Sequence, residues 1–158
     1  MRLVWLSGTV ALILLGGIAA YLAPLKPGIF ALQLAFTPRA FGEIIHFWSP
    51  QDLSRYRLHL LFDFGLILAY SVFGYSLASR TGAFSGLSGF WSAIARWCLP
   101  GAGVFDAVEN LLHCWLTEVP RFGVPLVYSL SASASLTKWL LLGAFALLVA
   151  YGAALSEG

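Results

Sequence analysis

The sequence predicts an all-α integral membrane protein, an antiparallel four-helix bundle with an amphipathic interfacial helix between its first and second spans. Three observations predict it. The 158 residues are 59% hydrophobic and 10% charged, with a mean hydropathy of +0.84, which is more apolar surface than a soluble domain of this size can bury. Four stretches, 3–23, 58–77, 97–116 and 136–155, have the length and apolarity a helix needs to cross about 30 Å of hydrocarbon. Proline and glycine punctuate the segments between them. The whole of 1–158 is therefore expected to be one transmembrane domain.

The first stretch follows Arg2, as a secretory signal would, but its apolar run exceeds the roughly 7–15 residues of a signal core and reads as a retained span. Pro24, Pro27 and Gly28 end it. Thr37-Pro38 then has the form of an N-cap followed by proline at the first helical position. Phe41, Ile44, Ile45 and Trp48 recur on one face while Arg39, Glu43 and His46 fall between them. That face lies either in the membrane interface or against the bundle. Ser49-Pro50-Gln51-Asp52 repeats the start signal as a capping box, so the second helix begins ahead of its apolar run and passes Arg55 and Arg57. Arg80, Gly82, Ser85 and Gly86 turn the chain into the third helix, and Pro120, Gly123 and Pro125 return it to the fourth.

Within the third helix, Pro100-Gly101-Ala102-Gly103 reads as a kink or as a place of close helix packing. Trp5, Trp48, Trp97, Trp115 and Trp139 fall near the expected helix ends and read as interface anchors. No internal repeat relates the two halves, which disfavours an inverted-repeat transporter. Orientation stays open: Arg2, Arg80 and Arg96 lie on one side, and Lys26, Arg39, Arg55, Arg57 and Arg121 on the other.

The net charge of +2 is spread along the chain with no basic stripe, which excludes nucleic acid as an expected partner. Cys98 and Cys114 lie sixteen residues apart on one helix, about 24 Å, and read as small apolar residues rather than a disulfide or a metal pair. Nothing resembles a nucleophile elbow, a phosphate loop or a haem signature, so no cofactor is expected.

The informative residues are the polar ones inside apolar runs, each costing at least a few kcal/mol at membrane depth unless paired. The second helix offers His59, Asp63 and Tyr70 on one face. On the third, Asp106, Glu109, Asn110 and His113 stand at i, i+3, i+4 and i+7, a single stripe. The fourth offers Lys138, about one turn inside its apolar run and near Ser131 and Ser135. Counted from the shared end of the antiparallel helices, Asp63 and Glu109 lie about 10 Å in, with His59 and His113 nearer the surface. Asp63, Asp106 and Glu109 then face Lys138 as the one firm cation. The balance falls to a protonated carboxyl, a protonated His59 or His113, Arg57 or Arg96 reaching inward, or a bound cation.

Several readings of this cluster stand side by side. It can be structural, a buried network that fixes helix register in a structural or accessory protein. It can be a site for a lipophilic small molecule in a membrane enzyme or binding protein, with a carboxyl as acid or base. A metal site on Asp106, Glu109, His113, His59 and Asp63 is disfavoured, because the Glu-x-x-His step of di-iron bundles and the two-His spacing of zinc motifs are both missing. Proton or ion movement would require oligomerisation. Whether the chain is an enzyme is not decided by these residues.

Four segments carry a likeness: Ala35-Phe36-Thr37-Pro38-Arg39, Phe62-Asp63-Phe64 with Tyr70, Gly103-Val104-Phe105-Asp106-Ala107-Val108-Glu109-Asn110, and Thr137-Lys138-Trp139. Together they resemble a widespread uncharacterised family of small bacterial four-helix integral membrane proteins, with the Asp-x-x-Glu-Asn step as the most specific part. The resemblance spans most of the chain. It implies a multi-pass protein of the bacterial cytoplasmic (inner) membrane, and it marks Asp63, Asp106, Glu109, Asn110 and Lys138 but neither His59 nor His113. The expected partners are membrane lipids, together with a lipophilic small molecule, further copies of the chain or a larger membrane complex.

Overall fold

A computed structural model of the chain describes residues 1–119 and 121–156. Pro120, expected to help turn the chain into its last helix, lies outside the described residues. The described residues form six helices and no strand: α1 (Arg2–Leu22), α2 (Ile29–Gln33), α3 (Pro38–Phe47), α4 (Pro50–Arg80), α5 (Gly89–Leu116) and α6 (Pro125–Ser156).

Local chemistry sets several of these boundaries. The Thr37 hydroxyl accepts from Ala40 N at 3.1 Å, with Pro38 at the first helical position of α3. Ser49 caps α4 in a reciprocal box: its hydroxyl accepts from Asp52 N at 3.1 Å, and the Asp52 carboxylate accepts from Ser49 N at 3.3 Å. α4, α5 and α6 all start earlier than the apolar runs that predict them, because their leading turns are helical but interrupted by polar residues such as Asp52, Arg55 and Arg57, Ser92 and Arg96, and Ser129, Ser131, Ser133 and Ser135. α2 is too short to carry a periodic signal and was not expected.

Three helices, Arg2–Leu22, Pro50–Arg80 and Pro125–Leu155, are long and apolar enough to cross a membrane. α5, the other expected span, is also long enough at 28 residues, but Arg96 and its polar stripe interrupt its apolar run and it is not among them.

α4 is the central element, with α1 along one side and α5 along the other, and α6 packs on the far side of α5. Neighbours run antiparallel. Gly8 faces Phe73 while Gly65 faces Leu14, and Asp63 pairs with Asn110 while Gly74 meets Leu99. Lys138 reaches Asp106 while Gly101 meets Leu141. The glycines of α5 serve packing: the helix continues through Pro100, and a Cβ at Gly103 would run into Ser71 Oγ of α4.

Two apolar cores result. One, around Leu66, Ile67, Ala95, Leu99, Ala102 and Phe145, lies toward the α4–α5 turn. The other, around Leu25, Leu32, Phe41, Trp48, Tyr56 and Tyr128, forms where α2 and α3 fold over the opposite end. The apolar face of α3 is thus packed on the bundle, with Phe41 buried and Ile44 and Ile45 against the same core. Trp48 is a core residue rather than an interface anchor, and its indole N–H donates to Pro27 O at 2.9 Å. Trp139 is not at a helix end either, since α6 begins at Pro125, fourteen residues earlier.

Candidate functional site

The stripe on α5 faces inward. Asp106, Glu109, Asn110 and His113 expose only 5%, 0%, 3% and 1% of their surfaces. The opposite face of the same helix, through Trp97, Val104, Val108 and Leu111, is apolar and exposed. Helical periodicity alone separates these faces, since 97, 104, 108 and 111 recur at steps of seven, four and three.

Lys138 meets the stripe from α6. Its Nζ lies 2.8 Å from Asp106 Oδ1 and 2.6 Å from Glu109 Oε2, with all three side chains buried. Asp106 Oδ2 accepts from the Tyr70 hydroxyl of α4 at 3.0 Å, so α4, α5 and α6 join at this carboxylate. Asp63, half-buried on α4, uses Oδ2 to accept from Asn110 Nδ2 at 2.7 Å. Glu109 Oε1 accepts no hydrogen bond among the described residues, and His113 Nδ1 lies 3.9 Å from it. The Ser135 hydroxyl beside it donates instead to Ser131 O at 3.1 Å.

The two histidines lie deeper than their distance from the helix ends suggests, because α2 and α3 roof that end of the bundle. His113 Nδ1 pairs with the Tyr56 hydroxyl at 2.5 Å, and the ring sits edge-on to Phe41. His59 Nδ1 donates to the Tyr56 carbonyl, which fixes its proton on that nitrogen and leaves Nε2 as an acceptor. Lys138 also lies deeper in its helix than expected, thirteen residues from the start of α6, about 20 Å.

Two of the neutralising options are closed by geometry. The Arg57 guanidinium donates to Thr117 O at 3.2 Å, at the C-terminal end of α5, and Arg96 is exposed. Three carboxyls therefore face the single ammonium of Lys138. A metal does not fit either: among the described residues no group of three His, Cys, Asp or Glu side chains is arranged to hold one.

Tyr56 and Gln33 join the site without having been anticipated. Tyr56 stands three residues before His59 and seven before Asp63, a spacing that puts it on the same face, so the signal was present. Gln33, whose Oε1 accepts from Trp139 Nε1 at 3.2 Å, sits on the short α2 and had no pattern to mark it.

The cluster opens onto a cleft. α1 packs along α4 and α6 along α5, but no comparable packing joins α1 to α6 among the described residues. The gap between them is a cavity of about 800 Å³. His59, Asp63, Tyr70, Asp106 and Lys138 line it between the levels of His59 and Tyr70, and most of the remaining wall is apolar, with residues such as Leu12, Leu66, Phe73, Leu99, Leu142 and Phe145. Glu109, Asn110 and His113 stand behind this wall and touch the cleft only through their partners. No protein-family model, curated protein or solved structure matches the chain.

Proposed function

We propose that the chain is a multi-pass protein of a bacterial cytoplasmic membrane in which α1, α4, α5 and α6 all cross the bilayer, and that it binds a lipophilic small molecule in the cleft between α1 and α6. The crossing of α5 is supported by the sorting of its surface after Arg96, since Asp106 and Glu109 face its neighbours and the face left outside, through Trp97, Val104, Val108 and Leu111, is apolar. Binding is supported above all by one observation: a mostly apolar cavity of about 800 Å³ lined also by Asp63, Tyr70, Asp106 and Lys138. Small-molecule sites have this character, at about 300–1,000 Å³, mostly apolar, with a few converging polar groups.

A structural role for the same network is the second reading, and Glu109 favours it. This carboxyl is fully buried, lies off the cleft and locks α5 to α6 through Lys138. The two readings separate by experiment. Protein extracted gently from its membrane is expected to carry an amphiphile near one equivalent, read by mass spectrometry of the solvent extract, and Leu142→Trp in the cleft wall is expected to expel it without loss of protein. A stable protein carrying the same lipids with and without the tryptophan leaves only the structural role.

A further inference from the structure

The cleft is long as well as apolar. Along α4 its lining runs from His59 to Leu77, eighteen residues or about 27 Å, and it continues to Thr81, Ala83 and Met1 at the far end. A cavity of about 800 Å³ drawn out over that length has a mean width of roughly 5–6 Å, room for one hydrocarbon chain with its atoms about 4 Å from those of the walls. Among the described residues, the ionisable side chains that line it, His59, Asp63, Tyr70, Asp106 and Lys138, fall between the levels of His59 and Tyr70, about 16 Å along α4, and none lies beyond Tyr70 toward Thr81.

Charge in that stretch is uneven. Lys138 is shared by Asp106 and Glu109, within 2.8 Å of each, while among the described residues Asp63 bonds the neutral amide of Asn110 and forms no ion pair. Of the other cations near in sequence, Arg55 lies against Asp52, Arg57 donates to Thr117 O and Arg96 is exposed. Asp63 is also the least buried of the three carboxyls. His59 lies one turn before it on α4 and offers Nε2 as a further acceptor.

We infer that the cleft takes a single-chain amphiphile with a cationic, hydrogen-bond-donating head such as an amine, the head against Asp63 and the tail along α1 and α6 toward the Thr81 end. The inference rests on the cleft being a binding site and adds which molecules it selects. An amine supplies the positive charge the cluster lacks, together with donors for Asp63 and for Nε2 of His59. An acid head of equal chain length brings a further negative charge to the same place.

Hexadecylamine, hexadecanol and hexadecanoic acid, offered to the full chain in zwitterionic nanodiscs and read as adducts by native mass spectrometry, test this directly. The amine is expected to bind at least about tenfold more tightly than the acid, with the alcohol between them, the ratio that about 1.4 kcal/mol of discrimination produces. Asp63→Asn is expected to remove the amine's advantage over the alcohol. Equal binding of the three probes, or a preference for the acid, overturns the inference. If those probes are still displaced by Leu142→Trp or Leu15→Trp, the cleft remains a binding site of different selectivity. Adducts unaffected by either tryptophan overturn both. Should Asp63→Asn fail to accumulate, the ranking of the probes on the wild-type chain decides the outcome.

Discussion

Lys138 is the residue on which the buried network turns, because one ammonium lies within 2.8 Å of both Asp106 and Glu109. Removing it leaves two buried carboxyls side by side, and breaking a buried pair in this way costs about 3–5 kcal/mol. Lys138→Met is therefore expected to lower the thermal unfolding temperature in detergent sharply or to prevent accumulation. Adding Asp106→Asn and Glu109→Gln to the same chain is expected to recover part of the loss, since neutral isosteres need no counter-charge. Tyr56→Phe strands His113 Nδ1 without its hydroxyl partner and should cost about 1–3 kcal/mol in the same assay. At this scale the sequence was most informative where geometry is local: Thr37 and Ser49 cap helices as their neighbours dictate, and Asp106, Glu109, Asn110 and His113 share a face as their spacing requires. The partners across helices were less accessible. That Lys138 bonds Asp106 and Glu109 while Asp63 bonds Asn110 depends on the register of α4, α5 and α6, which side-chain spacing within one helix does not set.

Helix packing sets that register, and small residues mark where backbones approach. A side chain at Gly103 would meet Ser71 and come within 3.2 Å of Ile67, and one at Gly152 would lie 2.5 Å from the Ala83 carbonyl. Gly103→Val forces α4 and α5 apart beside the Asp106–Tyr70 bond, an overpacking cost of about 1–3 kcal/mol. Gly17, with nothing within 4 Å of an added Cβ, should accept valine with little change, and comparing the two unfolding temperatures checks the argument. The limits of average hydropathy also appear at this scale. α5 is the one long helix without a membrane-length stretch of sufficient mean apolarity, yet Asp106, Glu109, Asn110 and His113 face its neighbours, a distinction visible in the periodicity of its residues and lost in their mean. α2 and the burial of Trp48 were not legible, because a five-residue helix has no period and the Trp48 contact joins residues 21 positions apart.

For the molecule as a whole, the cleft is the feature that no segment of sequence contains. It arises because α1 follows α4 and α6 follows α5 while α1 and α6 do not pack on each other. Its polar lining is built from side chains on α4 and α6, which are apolar enough to cross a membrane, and on α5, whose polar stripe interrupts its apolar run, so the site and the membrane topology stand or fall together. A nitroxide scan of α5 in lipid bilayers, one cysteine at a time through 104–113 with Cys98 and Cys114 changed to alanine, tests that dependence most directly. Val104, Val108 and Leu111 are predicted to be reached by oxygen dissolved in the lipid and shielded from a water-soluble nickel relaxant, while labels at Asp106 and Glu109 are shielded from both. Nickel access at Val104 and Val108 equal to that at the exposed Arg39 would contradict the account, because α5 would then lie in water and its carboxyls would have no bilayer to be buried in.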